Sequence, residues 1–577
     1  MAFSFIDMEH QILKFWDDND SFNKLRAKNS GNTRFRFIDG PITANNPMGI
    51  HHAWGRSLKD IFIRYHSAKG CDCRYQNGFD SQGLWVEVGV ERDLGFENKK
   101  DIERYGIDKF TEKCIDRVKT YSGVITEQSK RLGQWMDWDN SYYTNTDENI
   151  GGIWHFLKKC HENGWIEQEY KPMPWCPRCG TSLSEHEMTG SYKLITHNSV
   201  FFKLPIVGRD AAILVWTTTP WTLSSNAALA VNPEIDYAEV KIKSDPRPLY
   251  LAKNAIKYLG DDKLEVVRMF KGSELVGLKY ETCFPEFEKQ QNVDHRIVAW
   301  EDVGADEGSG VVHIAPGCGI EDFELGRREG ISQIMPVDDT GIFMQGFGFM
   351  TGKDSHDIAD ECFEELEKRG KLYKIMPIEH SYPVCWRCKH EVIFRLVPAW
   401  YIRTAELKPR LLRAAESVKW EPASNGKRMA DWLNNMGDWN ISRKRYYGMP
   451  LPFYPCDCGE LTVVGSKAEL RELAVDKGLV DELPQMHRPW IDEIKIKCPR
   501  CGKEVGRIRD IGDVWLDAGI VPFSTTGYFT DKEEWRKNFP AEWITEMREQ
   551  VRLWFYSMLF MSVVLEDRAP YERVLAF

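Results

Sequence analysis

The chain has 577 residues and a mass of 67.0 kDa, and at about 100–200 residues per domain this length predicts about three to five domains. The net charge of −11 excludes a protein that is basic throughout, although a local basic face for nucleic acid remains compatible with it. The longest apolar run, residues 553–565, is too short to span a membrane and predicts a buried helix. Because no secretory signal is visible, we expect a cytoplasmic protein without a membrane partner.

The N-terminal segment contains the patterns of a strand, a turn and a helix in succession. Residues 4–28 are typical of a polar amphipathic helix, and "RFRFI" (34–38) alternates as a strand does. The turn-rich stretch "DGPITANNP" (39–47) follows, and apolar residues at helical spacing then predict a helix over 51–66. The loop of such a βα unit lies at a helix N-terminus, where backbone N–H groups favour phosphate.

The middle of the chain has a different pattern. From about residue 198 to 375 it consists of short strand-like runs and contains few long helical stretches. These runs include "HNSVFFKLP", "AAILVWTTT", "AALAV", "YAEVKI" and "GVVHIAP". This composition predicts a β-rich domain inserted into the chain.

Ten of the 15 cysteines fall in five close pairs. One of them, Cys71/Cys73, has no nearby mate and is interpreted as strand cysteines, which leaves four pairs as candidate metal ligands. In a long chain without a visible signal sequence, such pairs favour zinc over disulfides, with redox pairs or chance as the alternative. One zinc bound by the first two pairs would clamp the chain where it leaves and re-enters the insertion, and the last two pairs close a loop of zinc-ribbon size. The four pairs are Cys176/Cys179, Cys385/Cys388, Cys456/Cys458 and Cys498/Cys501.

Six motifs resemble those of class I aminoacyl-tRNA synthetases, and in particular of the isoleucyl family. The resemblance is collinear over nearly the whole chain. In the insertion, residues 218–221 read Thr-Thr-Pro-Trp, whereas the valyl and leucyl families usually carry Thr-Arg-Pro. The motifs are "FIDGPITANNPMGIHHAWGRSLKDI" (37–61), "NGFDSQGLWVEVGVERDLG" (77–95), "WTTTPWTLSSNAALAVNPEIDY" (216–237), "GSGVVHIAPGCGIEDF" (308–323), "GDWNISRKRYYGMPLP" (437–452) and "DVWLDAG" (513–519).

The resemblance implies an α/β fold: a Rossmann-type class I catalytic domain, interrupted by a β-rich editing insertion and small zinc-ribbon modules. The implied domains are the first half of the catalytic domain at 1–170, its second half at 399–452 and 511–577, a zinc-bound stem at 171–197 and 376–398, the editing domain at 198–375 and a zinc ribbon at 453–510. The implied reaction activates isoleucine with ATP, accompanied by Mg²⁺, and transfers it to tRNA(Ile). Two structural Zn²⁺ ions would complete the protein.

The resemblance also assigns residues to the implied synthetic site. Asp80 would neutralise the ammonium group of isoleucine, and His51 and His52 would act in catalysis near the phosphates. The amino-acid pocket would consist of Pro41, Asp80, Trp515, Gln550 and Trp554. ATP or the adenylate would bind to Gly49, His52, Glu546, Glu549 and Gln550. For the tryptophans, ordinary core packing is the competing interpretation, since the chain has 21 of them.

There is a physical reason for the inserted domain to hydrolyse tRNA that carries the wrong amino acid. A pocket that accepts isoleucine cannot exclude valine well, because one methylene is worth only about 1–3 kcal/mol, a magnitude already known for this enzyme class. The resemblance implies that the editing site removes valine from valyl-tRNA(Ile) and that Asp322 holds the α-ammonium group. The implied editing residues are Thr217, Thr218, Thr219, Asn226, His313 and Asp322; a threonine run is otherwise ordinary strand composition.

The first signature departs from the family pattern. The usual His-x-Gly-His falls on residues 49–52, where the first His and the Gly have exchanged places, giving Gly49 and His51. Other departures are Ser81-Gln82 for Cys-His and Met547 for a glycine. Either the loop is reshaped so that His51 still serves ATP, or ATP handling is compromised.

The sequence also contains no Lys-Met-Ser-Lys-Ser-type loop and no helical anticodon-binding domain. The first interpretation is therefore the N-terminal portion of an isoleucyl-family enzyme, either as a fragment or as one half whose remainder is a second chain. In that case we expect weak binding of isoleucine and little activation by these 577 residues alone. The alternatives are a catalytically incomplete paralogue that binds nucleic acid, and a stand-alone editing hydrolase.

Overall fold

The computed structural model describes residues 4–183, 185–188, 191–243, 245, 247–260 and 264–577. The chain divides into two compact units, one made of Met1–Gln168 and Ala399–Phe577 and the other of Glu169–Pro398. The second unit is therefore a continuous insertion between two chain segments of the first. Among the helices of the described residues, none is both long and apolar enough to cross a membrane.

A parallel sheet forms the framework of the first unit. From edge to edge come the strand Asp137–Tyr143, the segment 72–80 with the strands Asp72–Cys73 and Gln76–Asp80, and the segment 34–37 with the strand Arg34–Phe35. A bridge from Phe37 to Trp543 then leads to Ile544–Glu546, followed by Arg573–Ala576 and Lys419–Glu421. The chain order reverses between 34–37 and Ile544–Glu546, and the carboxyl ends of the strands at such a switch point are where ligands of open α/β sheets bind. The Rossmann-type α/β fold expected from the sequence is thus confirmed.

Two local predictions can be compared with the helices of the first unit. The apolar run 553–565 forms the helix Trp554–Glu566, in which residues 554–564 are all buried. The predicted helix over 4–28 is two helices, Phe5–Asp18 and Ser21–Asn29, because Asp20 adopts a left-handed backbone conformation with φ 48° that ends the first helical run.

The remaining helices of the first unit are Ile50–Ala68, Leu84–Leu94, Lys99–Tyr105, Ile107–Arg131, Asp147–Glu162, Lys408–Glu416, Ser424–Asn435, Lys467–Leu473, Lys477–Asp481, Val514–Gly519, Val521–Ser524 and Lys532–Asn538, with 3₁₀ turns at Trp490–Glu493 and Arg548–Arg552. The strands outside the parallel sheet, or extending it, are Ile42–Thr43, Trp439–Asn440, Ser442–Arg443, Phe453–Pro455, Leu461–Val463, Lys495–Lys497, Glu504–Gly506 and Ile511–Gly512. The chain passes between the units within the strands Ile166–Cys176 and Ile393–Ile402.

The second unit is β-rich, as the sequence predicts. Its described residues form one nine-stranded sheet, in which the strand Val312–Ile314 lies between Ala212–Thr217 and Ala228–Val231. The other strands of the sheet are Tyr192–Pro205, Asp236–Ile242, Leu249–Ala252, Leu264–Lys271, Arg296–Ala299 and Leu372–Pro383. Outside the sheet are the strand Thr181–Ser182, the helices Glu185–Met188, Ile320–Glu329 and Ala359–Lys368, and 3₁₀ turns at Pro220–Ser225, Lys253–Leu259, Gly272–Glu274, Glu288–Gln290 and Gly348–Met350.

Candidate functional site

A buried lysine joins the ends of two neighbouring strands at the switch point of the first unit. Lys59 Nζ lies 2.7 Å from Asp39 Oδ1 and 2.5 Å from Glu546 Oε1. Although burial opposes its charge, the two carboxylates raise the pKa of Lys59 above its ordinary value. Asp39 Oδ2 also accepts a hydrogen bond of 3.1 Å from Gly78 N on the next strand. Lys59 therefore fixes the position of Glu546 at the mouth of the switch point.

Gly49, His51 and His52 form the N-terminus of helix Ile50–Ala68. Gly49 N donates to His52 Nδ1 over 3.1 Å, so the proton of a neutral His52 resides on Nε2, which lies 3.1 Å from His51 Nε2. Burial and the neighbouring His51, Arg56 and Lys59 lower the pKa of His52 to about 4. At neutral pH the helix N-terminus thus presents an uncharged imidazole together with backbone N–H groups, an arrangement suited to an anion.

The exchange of glycine and histidine in this motif is sterically coupled. Gly49 has φ −85°, which any residue can adopt, so its backbone does not require glycine. A Cβ atom at position 49 would instead lie 2.8 Å from Cε1 of the His51 ring. A side chain at position 49 would therefore force the His51 ring to move from its present position.

Asp80 ends the second strand of the parallel sheet and is partly buried. Its Oδ2 accepts a hydrogen bond of 3.0 Å from Thr43 Oγ1, and its Oδ1 accepts one of 3.3 Å from Thr144 Oγ1. Among the described residues it forms no ion pair, and burial raises its pKa to about 6. A desolvated carboxylate without a cationic neighbour is suited to bind an ammonium group.

The predicted apolar residues lie near the same strand ends. A side chain at Gly40 would collide with the carboxylate of Glu546 and would lie 3.1 Å from the Trp554 ring, so glycine lets both approach the turn that contains Pro41. Trp554 Nε1 donates to Ala518 O over 3.0 Å, which joins its helix to Val514–Gly519, the helix of Trp515.

The turn after Glu546 contains the other predicted adenylate residues. Gln550 Oε1 accepts a hydrogen bond of 3.2 Å from Trp554 N and thereby starts the following helix. Glu549 is exposed on the same turn, Arg548–Arg552. The Glu549 side chain is therefore more accessible to solvent than that of Gln550.

In the second unit, the pairing of adjacent strands brings four of the predicted editing residues close together: Thr217, Thr219, Asn226 and His313. Thr217 ends the strand beside that of His313, and Thr217 Oγ1 lies 3.4 Å from Thr219 Oγ1. His313 Nδ1 lies 3.1 Å from Asn226 Nδ2. Thr218 lies between the other threonines and is partly exposed.

Asp322 lies in the first turn of helix Ile320–Glu329. Its Oδ2 accepts a hydrogen bond of 2.7 Å from Ala315 N, just after the strand of His313. Burial raises the pKa of Asp322 to about 6, and it forms no ion pair among the described residues. Like Asp80, it is a desolvated carboxylate suited to an ammonium group.

The four cysteine pairs assemble into two clusters. The sulfur atoms of each cluster all lie within 4.8 Å of one another, and a tetrahedral zinc–thiolate site with bonds of about 2.3 Å has sulfur–sulfur distances of about 3.8 Å. In the second unit Cys176 and Cys388 are 3.4 Å apart, and in the first unit Cys458 and Cys498 are 3.7 Å apart. The donor set and spacing fit Zn²⁺. The clusters are Cys176, Cys179, Cys385 and Cys388, and Cys456, Cys458, Cys498 and Cys501.

Three residues with clear structural roles escaped the sequence analysis: Lys59, Thr222 and Tyr280. Lys59 occupies a helix position typical of a solvated lysine, yet its side chain is only 6% exposed. Thr222 lies inside a quoted motif, and its 2.8 Å contact with His313 Nε2 depends on a strand 91 residues later. Nothing in the local sequence marks Tyr280.

Comparison with known proteins identifies the family. A profile of the family described as tRNA synthetases class I (I, L, M and V) matches residues 11–577. The chain therefore belongs to this family of class I tRNA synthetases.

Curated relatives are named isoleucine–tRNA ligase. That of Pyrococcus horikoshii is 39% identical over 602 residues, covering 98% of this chain and 56% of the relative. That of Clostridium tetani is 37% identical over 573 residues, covering 99% of this chain and 55% of the relative. The chain thus spans little more than half the length of these relatives.

Among solved structures, the Agrobacterium radiobacter K84 agnB2 LeuRS–tRNA–LeuAMS ternary complex aligns with this chain. The alignment covers 98% of this chain and 67% of that chain, with a TM-score of 0.43 and 15% sequence identity.

Proposed function

We propose that the first unit is the catalytic domain of an isoleucine–tRNA ligase, working in the cytoplasm. It would condense isoleucine with ATP, supplied with Mg²⁺, to isoleucyl adenylate and then pass the acyl group to tRNA(Ile). The observation that carries the proposal is Asp80, a desolvated carboxylate at the carboxyl edge of the sheet that has no cationic neighbour among the described residues. The names of relatives that match nearly the whole chain support isoleucine as the substrate.

The roles of the other residues follow from their positions. The helix N-terminus at Gly49 and the neutral His52 would face the ATP phosphates, where an uncharged N–H donor stabilises developing charge without prior rearrangement. His51 would move aside from His52 when phosphate binds. Pro41, Trp515 and Trp554 would form the apolar wall for the isoleucine side chain, and Glu546, Glu549 and Gln550 would contact the adenosine.

A binding experiment tests this assignment without requiring complete catalysis. Isoleucyl-sulfamoyl-adenosine, a non-hydrolysable analogue of the adenylate, is titrated into the chain by calorimetry, with the glutamyl analogue as the control ligand. We expect selective binding of the isoleucyl analogue, because the site combines an ammonium acceptor with an apolar wall. Equal affinity for both analogues, or for neither, would contradict the proposal.

The exchanged motif gives a prediction of its own. Gly49→His alone should weaken analogue binding more than the double change Gly49→His with His51→Gly, because only the single variant places a Cβ atom against the His51 ring. Residues in such contact typically show coupling of about 0.5–3 kcal/mol. Calorimetry of the two single variants and the double variant measures it, and strictly additive losses would show that the two positions are independent.

We propose further that the second unit hydrolyses valyl-tRNA(Ile). What supports this is the convergence of Thr217, Thr219, Asn226 and His313, with Asp322 on the helix that follows. Within the described part of the chain, the carboxylate of Asp322 forms no ion pair. Asp322 would hold the α-ammonium group of the misacylated residue. The threonine hydroxyl groups would orient the ester and the attacking water.

Asp322→Ala should slow the hydrolysis of valyl-tRNA(Ile) by raising its activation barrier about 2–5 kcal/mol, the usual cost of removing one member of a buried charge pair. In the parent chain the rate should rise as the pH increases through about 6, because Asp322 must be ionised to hold an ammonium group. Deacylation of pre-charged tRNA is the measurement, and Glu324→Gln, an exposed change on the same helix, is the matched control. If both variants behave like the parent, Asp322 does not hold the substrate.

Each cysteine cluster would hold one structural Zn²⁺ through four thiolates. In the second unit, hydrogen bonds from the Cys176 and Cys179 thiols lower the pKa of Cys385 and Cys388, which favours thiolates on that pair. A structural zinc would cross-link two chain segments that are far apart in sequence and thereby stabilise each fold.

A further inference from the structure

We propose that Tyr280 and Thr222 are positioning residues for His313. Together with Asn226 they hold the His313 ring so that it donates a hydrogen bond to Thr222 and does not act as a general base. The inference rests on the proposed editing function, because it assigns roles within that same site. It concerns a chain of four side chains, Tyr280, Asn226, His313 and Thr222, that ends on the backbone carbonyl of Thr219 and that we call the relay.

The orientation of the Asn226 amide sets the direction of the relay. Asn226 Nδ2 lies 3.0 Å from Ala228 O and 3.1 Å from His313 Nδ1. Because a backbone carbonyl can only accept a hydrogen bond, the NH₂ group must face Ala228 O, and its second hydrogen then points to His313. The Tyr280 hydroxyl completes the arrangement by donating to Asn226 Oδ1 over 2.8 Å.

The tautomer of His313 follows from that orientation. Its Nδ1 accepts from Asn226, so its Nε2 must be the protonated nitrogen of the neutral ring. His313 Nε2 lies 2.8 Å from Thr222 Oγ1, which therefore accepts. The Thr222 hydroxyl in turn donates to Thr219 O over 2.7 Å. The relay thus ends on the Thr219 peptide, beside the hydroxyl groups that would contact the ester.

Burial makes this arrangement costly to disturb. The exposed fractions are 7% for His313, 5% for Thr222, 3% for Tyr280 and 0% for Asn226. Burial alone lowers the pKa of His313 to about 4, and no charged side chain contributes to that shift. Both ring nitrogens already have partners, so His313 has no free lone pair with which to take a proton from water.

Substitutions at His313 separate a donor from a base. His313→Gln retains an N–H donor near the position of Nε2 but cannot act as a base. In single-turnover hydrolysis of valyl-tRNA(Ile) by the full chain, we expect this variant to stay within about tenfold of the parent and His313→Ala to lose more. A His313→Gln variant as inactive as His313→Ala would overturn the proposal.

Substitutions in the relay test positioning. Tyr280→Phe and Thr222→Val each remove one hydroxyl group and keep the shape, and the loss of one buried hydrogen bond is expected to lower the hydrolysis rate about threefold to tenfold. The half-saturating concentration of chain and the pH profile should not change, because neither residue contacts substrate or titrates. A changed half-saturation with an unchanged rate would overturn the positioning role.

A spectroscopic measurement tests the hydrogen bonding of the relay separately from the proposed editing activity. In protein labelled with ¹⁵N-histidine, the His313 resonances, assigned by their loss in His313→Gln, should show an unprotonated Nδ1 and a protonated Nε2 from pH 5 to 8. A protonated Nδ1, or titration within that range, would overturn the relay. This tautomer in a parent chain that does not hydrolyse valyl-tRNA(Ile) would support the relay and overturn the editing function.

Discussion

Asp80→Asn is expected to weaken binding of the isoleucyl-adenylate analogue by about 2–5 kcal/mol, on the order of 30-fold to several thousandfold, because it removes the only charge proposed to meet the ligand's ammonium group. In the parent chain, affinity should fall as the pH drops through about 6, where Asp80 becomes protonated. The variant should lose that pH dependence. Calorimetric titration between pH 5 and 8 measures both effects.

The same substitution should have the opposite effect on stability. Because the folded-state pKa of Asp80 is raised, its ionisation costs free energy of folding, and this cost builds up between about pH 4 and about pH 6 and is fully present above that. Above that pH, Asp80→Asn should therefore keep or raise the melting temperature while binding is lost. Asp139→Asn, an exposed change on the neighbouring strand, is the control. A variant that loses stability and affinity together would indicate a structural role for Asp80.

Zinc removal is expected to produce the largest loss of structure. Purified chain should contain two zinc ions, and Cys176→Ser or Cys456→Ser should each remove one and destabilise the unit to which that cluster belongs. Apparent binding free energies of structural zinc in small peptides are about 10–16 kcal/mol near neutral pH, which exceeds the usual margin of a folded domain. Metal analysis together with thermal unfolding checks both statements.

The two clusters should also differ in their response to a chelator. Cys501 is exposed, whereas three of the four cysteines in the cluster of the second unit are buried. The cluster with Cys501 should therefore lose its metal faster, which gives two phases of zinc release. Cys71→Ser, outside both clusters, should leave the zinc content at two. A folded chain of unchanged stability after complete zinc removal would contradict the structural role.

Much of the fold could be predicted from local patterns, because helical periodicity and cysteine spacing can be recognised within a few residues of sequence. The helix predicted over 51–66 is Ile50–Ala68, and the predicted apolar helix is Trp554–Glu566. The break at Asp20 was missed, although residues 17–20 are all Asp or Asn, which adopt the left-handed conformation more readily than other non-glycine residues. The roles proposed for the binding and editing residues stay predictions that the experiments above test.

The side-chain contacts within the candidate sites could not be predicted from the sequence. The resemblance supplied positions such as Asp80 and His313, but it supplied no partners. Lys59 meets Glu546 across 487 residues, and Tyr280 meets Asn226 across 54. Such pairs depend on strand order, which composition and periodicity do not determine.

The bridge formed by Lys59 has a consequence for biosynthesis. During translation, Lys59 and Asp39 leave the ribosome long before Glu546, and the whole second unit is made in between. The proposed nucleotide site therefore cannot be completed on a partial chain, and its assembly is a late step dominated by a contact of very long sequence separation. Until Glu546 is synthesised, the Lys59 ammonium has only Asp39 as a partner, and a nascent chain arrested before that residue should be unable to retain the adenylate.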